Sequence, residues 1–393
     1  MRILMVHNRY QQRGGEDQVY EGEARLLALH GHDVLRYDVH NDSIGQVNRL
    51  ALASRTVWSR HTYRRLSAII ERERPHVVHF HNILPLISPS GYYSALHRGV
   101  PVVQTVHNYR LVCPNALLFR DGMPCQDCVG KRFAWPGIIH ACYRSSHAAS
   151  AAVAMMTGVH HVLGTWNQRV TVYIALTNFA RDRLLQGGIP GDRVVVKPNF
   201  VDPDPGEGPG NGEYGLFVGR LTPEKGIRTL LAAWNGLGIP LRIVGEGPLD
   251  DEVAEAAKAS SGRIEWLGSK STAEVYELLA RATFLVCPSE WYETFGRVVI
   301  EAFATGTPVI GSDLGAIAEL VRHGETGLLF RPGSAADLAA AVHDLLEKSE
   351  RLVRMRTACR EEFLIKFTAE RNYESLMQIY ELATRNQFAP AVL

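Results

Sequence analysis

Residues 283–305 read TFLVC-PSEWYETFG-RVVIEAFAT, and this stretch decides the fold. The first five residues are apolar or β-branched and predict a buried strand, whereas the last nine predict a helix. A loop over residues 288–296 joins the two and ends on Gly296. A strand that leads through a loop into a helix is the repeating element of a parallel α/β sheet, so we expect that fold class.

The same alternation extends in both directions from this stretch. Strands are predicted at 3–7, 34–38, 77–80, 102–106, 172–175 and 194–197, and again at 215–218, 241–244, 264–267 and 308–311. Helices are predicted at 17–30, 63–72, 226–235, 272–282, 297–305, 335–348 and 370–384. Between the two halves, residues 202–212 read DPDPGEGPGNG and predict a linker. The sequence therefore predicts two doubly wound domains, with ligands bound between them at the carboxyl ends of the strands.

Composition excludes several classes of protein. A chain of 393 residues that is 46% hydrophobic can bury a substantial core, which argues against disorder. Lys and Arg number 42 against 41 Asp and Glu, so a broad nucleic-acid-binding surface is not expected. No apolar run approaches the roughly 18 residues of a membrane span, and the ILMV run at residues 3–6 is too short for a signal peptide. We expect a cytoplasmic protein.

The loop and helix of residues 288–305 also predict an anion site. The backbone N–H groups of Phe295, Gly296 and Arg297 open a helix, where the helix dipole favours negative charge. Glu301 follows one turn later and can accept hydrogen bonds from two vicinal hydroxyls, such as those of a ribose. Glu293 lies just before the helix. An anion flanked by two carboxylates fits a nucleotide sugar, although two solvated surface glutamates would give the same spacing.

A second motif, GRLTPEKG at residues 219–226, leaves a strand at Gly219 and opens a helix. Arg220 offers a planar guanidinium and Lys225 a compact ammonium, and both suit a diphosphate. An ordinary helix start with surface cations is the alternative. Weaker glycine turns that could bring backbone N–H groups to a phosphate occur at Gly245, and at Gly14 and Gly15 after the first strand.

Four histidines of the first half each lie at or near the carboxyl end of a predicted strand: His7, His79, His81 and His107. His107 follows its strand directly, which predicts an imidazole at the binding edge of the sheet, within reach of a sugar hydroxyl. A buried structural histidine is the alternative for each of them.

Together these motifs resemble the retaining glycosyltransferases of family 4. The E-x7-E spacing from Glu293 to Glu301 is the most specific feature, and residues 219–226 and PNFVD at 198–202 support it. Gly14, Gly15 and His107 match weaker positions. Two positions depart from the family pattern: Thr294 and Phe200 each stand where glycine is frequent, which leaves the donor sugar open.

The resemblance implies the GT-B fold, in which two doubly wound Rossmann-like domains face each other across a cleft. We place the acceptor-side domain at residues 1–198, with a Cys-rich insertion at 108–145, and the nucleotide-sugar domain at 199–369. The helix at 370–386 is expected to pack back on the first domain.

The resemblance also implies roles for the motif residues. Arg220 and Lys225 would hold the donor diphosphate, and Glu301 would bind the ribose. Glu293 would contact the transferred sugar and its departing phosphate, and His107 would contact the sugar near the reaction centre. The leaving diphosphate gains negative charge, which these cations and the helix N-terminus would stabilise, so transfer without a metal or other cofactor is expected.

Four of the six cysteines are bunched at Cys113, Cys125, Cys128 and Cys142. A Cys-x2-Cys pair with a further cysteine on each side has the spacing of a structural zinc site. Unrelated thiols, or a redox pair at Cys125 and Cys128, are the alternatives.

The sequence gives less information about the acceptor than about the donor. Residues 131–140 read KRFAWPGIIH, and cations beside aromatic and aliphatic residues suit a lipid headgroup surface. Met155, Met156, Val159, Val162 and Leu163 have roughly helical spacing and predict a buried helix face. The family resemblance implies a saccharide or polyprenyl-linked acceptor, a UDP-, GDP- or ADP-sugar donor, and a role in bacterial surface glycan synthesis with peripheral membrane contact.

Two other functions fit the same fold. A nucleotide-sugar 2-epimerase would need acid and base carboxylates in the first half, where Glu16 and Asp17 are the candidates. A non-catalytic nucleotide-sugar-binding protein is the other, but the intact set of Arg220, Lys225, Glu293 and Glu301 argues against it.

Overall fold

The computed structural model describes residues 1–11, 14–347 and 349–385, and the chain forms two compact units. The first unit comprises Met1–Leu118, Gln126–Pro198 and the C-terminal segment from Asn372. The second comprises Phe119–Cys125 and Asn199–Arg371.

The elements are numbered in chain order. The strands are β1 (Arg2–Arg9), β2 (Asp33–His40), β3 (Val77–Phe80), β4 (Val102–Val106), β5 (Phe119–Arg120), β6 (Met123–Pro124), β7 (Val172–Ala175), β8 (Val194–Val196), β9 (Gly215–Val218), β10 (Leu241–Val244), β11 (Ile264–Trp266), β12 (Phe284–Cys287), β13 (Val309–Ser312) and β14 (Gly327–Phe330). The helices are α1 (Gly15–Leu29), α2 (Arg49–Val57), α3 (Arg60–Glu73), α4 (Ser90–Leu96), α5 (Trp135–Ile139), α6 (His147–Val162), α7 (Thr165–Gln168), α8 (Asn178–Gln186), α9 (Ile227–Trp234), α10 (Asp250–Ala259), α11 (Thr272–Arg281), α12 (Arg297–Ala304), α13 (Gly315–Leu320), α14 (Ala335–Leu346), α15 (Ser349–Lys366) and α16 (Ala369–Arg385).

Each unit is built on a six-stranded parallel sheet. The strand order is β2-β1-β3-β4-β7-β8 in the first unit and β11-β10-β9-β12-β13-β14 in the second. In both sheets the chain starts at an inner strand, builds to one edge and then builds to the other. The predicted doubly wound α/β architecture is therefore confirmed. In the second unit the direction of winding changes between β9 and β12, and ligands of such sheets bind at this point.

The central strands are apolar because both faces of the sheet are covered. Every residue of β3 and β4 is buried, whereas the edge strand β2 alternates between exposed and half-buried positions. Continuous burial of this kind is expected where helices pack on both sides of a parallel sheet. The short antiparallel hairpin of β5 and β6 belongs to the second unit, although its sequence lies inside the predicted insertion of the first domain.

Helix α16 closes the core of the first unit. Leu376 and Tyr380 of this helix are fully buried among Ile3, Val103 and Ile174 of the sheet. Residue 386, which the sequence included in this helix, lies outside the described residues.

The segment predicted as a linker, residues 202–212, is attached to the second unit along its length. Asp204 forms an ion pair with Arg360 at 2.7 Å, and the Arg356 guanidinium donates to the Gly208 carbonyl at 2.6 Å. The chain passes between the units at Pro198, so the turn-forming run is a surface segment of the second unit and not a free linker.

Several elements are absent from the sequence prediction, among them α2, α8, α10, α15 and β14. Helix α15 buries only a narrow stripe that includes Met355, Cys359 and Phe363, and charged residues surround this stripe. Because the stripe is narrow, the helical spacing of apolar residues in the sequence of α15 is weak. Strand β14 reads GLLF and contains no β-branched residue, so its sequence gives little sign of a strand.

We expect Leu376→Ala to lower the free energy of unfolding of the first unit by about 2–5 kcal/mol, because it opens a cavity against the sheet. Leu382 on the same helix is 37% exposed and serves as the matched control, with an expected change within about 0.5 kcal/mol for Leu382→Ala. Urea unfolding followed by circular dichroism measures both. Equal midpoints for the two variants would show that α16 does not complete this core.

Candidate active site

Three loops at the carboxyl ends of β9, β10 and β12 interlock through their backbones in the second unit. Gly245, which follows β10, has φ +135°, and a Cβ atom there would lie 1.8 Å from the Gly219 carbonyl oxygen. The Leu221 N–H donates to the Glu246 carbonyl at 3.0 Å. Only glycine permits this approach, so the loops after β9 and β10 have a fixed relative position.

The loops after β9 and β12 meet in the same way. Gly226 has φ +71°, and a Cβ atom there would lie 1.9 Å from the Pro288 carbonyl oxygen. The Glu290 N–H donates to the Glu224 carbonyl at 2.9 Å. These backbone contacts bring together the motif that contains Lys225 and the motif that contains Glu293. The two residues are 68 positions apart in the sequence.

Lys225 and Glu293 form the polar centre of this edge. The Lys225 ammonium lies 2.5 Å from the Glu293 carboxylate, which also accepts from the Ser289 hydroxyl at 2.8 Å. The ammonium lies 5.5 Å from the Trp291 ring centroid. Burial would lower the pKa of Lys225, but the Glu293 carboxylate raises it above its ordinary value, so Lys225 is a cation at neutral pH. A fixed positive charge and a buried carboxylate therefore lie side by side.

Arg220 extends from the loop after β9, and its side chain is 66% exposed. Its nearest carboxylate is Glu224, at 3.9 Å, which is too long for a hydrogen bond. The guanidinium thus lies on the same loop as Lys225 in a solvent-accessible position.

Helix α12 begins at the same edge of the sheet. Gly296 precedes its first residue with φ +89°, and a Cβ atom there would lie 2.6 Å from the Ile317 side chain. The first N–H groups of a helix point out of its N-terminus, where the helix dipole favours an anion. Phe295, one residue before Gly296, is buried, and this anchors the loop where it leads into α12.

Glu301 lies one turn into α12 and is buried. Its carboxylate pairs with the Arg297 side chain at 3.0 Å. Burial raises the pKa of Glu301 above its ordinary value, and the Arg297 charge opposes that rise. Tyr276 of α11 is affected by the same carboxylate, because burial and the Glu301 charge raise the pKa of Tyr276 to about 12. The predicted role of Arg297 concerned its backbone; the structure adds a side-chain ion pair.

The histidines of the first unit have different surroundings. His79 is a structural residue, because its ring nitrogens lie 2.8 Å from the hydroxyls of Tyr380 and Thr105. His7 lies 2.8 Å from the Asp17 carboxylate. Neither fits the prediction of an imidazole that faces a ligand.

His107 is half-buried and contacts His81, with 3.0 Å between Nε2 of His107 and Nδ1 of His81. Both residues line a cavity of about 40 Å³ at the carboxyl ends of β3 and β4, together with Asn82, Asn108 and Arg110. His107 therefore lies on the wall of a small concavity at the carboxyl end of β4, and its contact with a sugar stays a prediction.

Gly14 and Gly15 open α1, and Arg13 lies outside the described residues. The Gly14 N–H donates to the Asp17 carboxylate at 2.9 Å, and Asp17 also bonds His7. Glu16 accepts from the Tyr10 hydroxyl at 3.0 Å, and burial raises its pKa to about 7. Asp17, one of the two epimerase candidates, thus caps a helix.

The cysteines do not form a metal cluster in the described part of the chain. The group of three His, Cys, Asp or Glu ligand atoms found within 4.8 Å of one another there consists of Glu23, His79 and His81. No disulfide links the cysteines. A structural zinc at Cys113, Cys125, Cys128 and Cys142 stays a prediction, which the zinc content of purified protein would test.

The second unit therefore assembles its predicted residues at one edge of the sheet. These are Gly219, Arg220, Lys225, Gly245, Glu293, Phe295, Gly296, Arg297 and Glu301. Sequence reasoning missed Ser289, Trp291 and Tyr276. Ser289 and Trp291 lie within the quoted motif, so their position was a signal, whereas Tyr276 lies on another helix with no local sign of its role.

Family models identify the chain. Residues 203–362 match the model described as "Glycosyl transferases group 1", and residues 12–205 match "Glycosyltransferase Family 4". The chain belongs to glycosyltransferase family 4 and has the GT-B fold. It is a glycosyltransferase that uses a nucleotide-sugar donor, and these matches do not support the epimerase or the non-catalytic alternative.

Individual relatives agree with this assignment. The chain is 29% identical to "Glycogen synthase" of Mycobacterium tuberculosis over 328 residues, which cover 81% of this chain and 71% of the relative. It is 30% identical to "Phosphatidyl-myo-inositol mannosyltransferase" of Mycobacterium leprae, with 62% and 67% covered. Among solved structures, Anabaena Alr3699/HepE in complex with UDP is similar, with a TM-score of 0.71, 18% identity, and 97% and 100% covered.

None of the helices in the part of the chain that the structure describes has the length and apolar composition to cross a bilayer.

We expect Gly245→Ala to destabilise the second unit by about 1–3 kcal/mol, because the new Cβ would meet the Gly219 carbonyl and strain the backbone. Donor binding should weaken as well, since Arg220 and Lys225 lie on the displaced loop. Gly236→Ala is the matched control: a Cβ atom at Gly236 has no neighbour within 4 Å. Thermal unfolding measures both variants. Similar melting temperatures would contradict the interlocked loops.

Proposed function

We propose that this protein is a retaining, metal-independent hexosyltransferase that extends a saccharide or lipid-linked acceptor in bacterial surface glycan synthesis. The single observation that supports the donor chemistry is the Lys225–Glu293 contact at 2.5 Å, beside the first turn of α12. Such a site places positive charge and N–H donors where a diphosphate can bind, with a carboxylate beside them for the sugar.

In this proposal the donor diphosphate binds Arg220, Lys225 and the N–H groups that open α12. The ribose hydroxyls donate to Glu301, whose ion pair with Arg297 fixes the carboxylate. The transferred sugar lies at Glu293, and a contact between the sugar and His107 stays a prediction from the family resemblance.

The reaction then needs no nucleophile from the protein. The bond between the anomeric carbon and the diphosphate oxygen breaks, and the negative charge that develops is stabilised by the two cations. The acceptor oxygen attacks from the face that the diphosphate leaves, so the anomeric configuration is kept. The acceptor proton passes to the departing diphosphate oxygen. The charge that a metal would otherwise neutralise is met by Arg220 and Lys225, and this is the basis for proposing metal independence.

The donor is tested with a panel of UDP-, GDP- and ADP-sugars in EDTA, with melting temperature as the readout. The Anabaena neighbour was solved with UDP, so UDP-sugars come first. A donor present at about 100 times its dissociation constant should stabilise the protein by about 2.7 kcal/mol. No shift with any donor would contradict the proposed function, and a shift only without EDTA would contradict metal independence.

Arg220→Gln should weaken donor binding by about 10-fold or more, because a charge-assisted hydrogen bond to a phosphate is lost. Arg228→Gln is the matched control. The two side chains are 66% and 63% exposed, and they lie eight residues apart in the same unit. Equal loss in the two variants would mean that general charge, and not the loop after β9, attracts the donor.

The proposed acceptor surface lies on the first unit and includes residues 131–139. Trp135 is 51% exposed and Ile139 59% exposed, beside the exposed Lys131 and Arg132. The Lys131 ammonium lies 5.7 Å from the Trp135 ring centroid. Exposed apolar side chains with cations beside them fit the headgroup region of an anionic bilayer.

Helix α6 packs against α5 of this surface and adds to its apolar character. The sequence predicted a buried face at Met155, Met156, Val159, Val162 and Leu163, but only Met156 is fully buried. Val162 is 83% exposed, and Met155 and Leu163 are about half exposed. The prediction of a buried face is therefore wrong for these three residues, and their exposure supports a lipid-linked acceptor.

Wild-type protein should sediment with anionic liposomes at low salt, because Lys131 and Arg132 are attracted to the surface while Trp135 enters it. Lys131→Glu/Arg132→Glu should abolish this binding. Lys258→Glu/Arg263→Glu makes the same charge change on exposed cations of the second unit and should leave it unchanged. Failure of the wild-type protein to bind would contradict the lipid-linked acceptor.

A further inference from the structure

An indole ring lies beside the central cation of the candidate active site. Trp291 is 8% exposed, and the Lys225 ammonium lies over its ring, 5.5 Å from the ring centroid. This distance is within the range in which an ammonium is attracted to an aromatic face. The same ammonium lies 2.5 Å from the Glu293 carboxylate. The cation therefore has two contacts of different kinds, one with an anion and one with an aromatic ring.

The backbone fixes the position of the ring relative to the ammonium. The Glu290 N–H donates to the Glu224 carbonyl at 2.9 Å, one residue before each of the two side chains. One residue after the lysine, a Cβ atom at Gly226 would lie 1.9 Å from the Pro288 carbonyl oxygen. The closest approach of the two loops thus occurs at the residues that flank the pair. The contact between ring and cation follows from a part of the backbone that has little freedom to move.

The indole N–H indicates that this ring does more than fill space. Its nitrogen is buried and has no hydrogen-bond partner among the described residues. A buried donor without an acceptor destabilises a fold, and a phenylalanine at position 291 would not carry that cost. What tryptophan offers over phenylalanine is the stronger attraction of its face for a cation. An indole at this position is therefore explained by the ammonium that lies over it.

The carboxylate is not sufficient to hold the ammonium during the reaction. Glu293 also accepts from the Ser289 hydroxyl at 2.8 Å, and in the proposed function it contacts the transferred sugar as well. Its two oxygens are then shared among three partners. The ring face accepts no hydrogen bond from the sugar and repels the diphosphate, so its attraction for Lys225 does not depend on what Glu293 binds.

We propose that Trp291 is a positioning residue, whose ring face holds the Lys225 ammonium where the donor diphosphate binds. The inference rests on the proposed function, in which Lys225 binds that diphosphate. It assigns to Trp291 a role that is exerted through Lys225 and not through a contact of its own with the donor.

A direct hydrogen bond from the indole N–H to the donor is the competing explanation. The burial of the indole nitrogen argues against it, because a ligand could reach this atom only after the ring had moved. The contact between the ring and the Lys225 ammonium needs no such movement, since it is already present in the structure.

Proton–carbon NMR of protein with ¹³C-labelled lysine tests the contact without any ligand. Protons over an aromatic face are shifted to high field by the ring current, and the Lys225 signal is the one that Lys225→Met removes. We expect high-field Cε protons for Lys225 in the wild type and loss of that shift in Trp291→Leu. A Lys225 signal at the ordinary position of a solvated lysine in the wild type would overturn the inference.

Calorimetric titration with UDP tests the consequence for the donor site. Trp291→Leu should weaken UDP binding about 3- to 30-fold, and Trp291→Phe should weaken it less, because a benzene ring still attracts a cation. In the Lys225→Met background, Trp291→Leu should cause no further loss, since the ring acts only through the ammonium. An equal further loss in that background would overturn the inference.

Tyr214→Leu is the matched control. Tyr214 is 6% exposed, and the Arg242 guanidinium lies 4.2 Å from its ring centroid, so this variant also removes a buried ring beneath a cation. The residue precedes β9 and so lies at the amino end of that strand, away from the donor motifs. UDP affinity should stay within about 2-fold of the wild type. A loss equal to that of Trp291→Leu would mean that removal of any buried ring has this effect, and would overturn the inference.

Fluorinated tryptophan tests the inference even where Trp291→Leu does not fold. Fluorine withdraws electrons, which weakens the attraction of the ring face for a cation but makes the N–H a stronger hydrogen-bond donor. UDP affinity should therefore fall stepwise from tryptophan to fluoro- and trifluorotryptophan, and Trp291→Phe protein should not show this dependence. A rise in affinity with fluorine would favour the direct N–H contact and overturn the inference, as would the same dependence in Trp291→Phe.

Failure of the inference and failure of the proposed function give different results. Absence of UDP binding by the wild type would contradict a UDP-sugar donor, and the position of the Lys225 signal would still decide whether the ring holds the ammonium. UDP binding by the wild type with an unshifted Lys225 signal would support the donor site and overturn the role of Trp291.

Discussion

The close backbone contact between Gly226 and Pro288 is the constraint on which the donor half of this protein depends. It joins the loops after β9 and β12, the two neighbouring strands at which the winding of the sheet changes direction. Lys225 reaches Glu293 only because these loops touch. The anion site and the carboxylate of the proposed donor pocket thus follow from the strand order and from one residue without a side chain.

The first unit has the same kind of sheet, but different side chains stand at the ends of its strands. Its strand ends present imidazoles in place of cations. Both ring nitrogens of His79 contact hydroxyls, whereas His7 contacts the Asp17 carboxylate through one nitrogen and its other nitrogen has no hydrogen-bond partner among the described residues. His7, His79 and His81 are buried, whereas His107 is half-buried at the sheet edge and contacts His81.

Local sequence was sufficient for most strands of the two parallel sheets and for the motif residues that follow them. Strands β3, β4 and β7 have the predicted bounds because their continuous apolar runs have only one way to be buried. The E-x7-E spacing of Glu293 and Glu301 likewise lies within one loop and helix, where the spacing fixes the geometry.

Contacts between residues that are far apart in the sequence could not be predicted from the sequence. Glu23 and Lys197 are 174 positions apart, and a lone glutamate in a helix and a lone lysine after a strand look like surface residues. Only the fold shows that both are buried and opposed. The exposure of Val162 was also missed, because an apolar helical period does not distinguish a core face from an exposed apolar face.

The glycine contacts also limit how donor preference can change during evolution or in the laboratory. Because Gly226 and Gly245 bring the loops to backbone distance, larger residues at these two points would displace the loops that carry Arg220, Lys225 and Glu293. New sugar or base selectivity has to arise from side chains that line the loops, while the main-chain framework stays as it is. Engineering of this enzyme should accordingly leave these turns untouched and vary their polar neighbours.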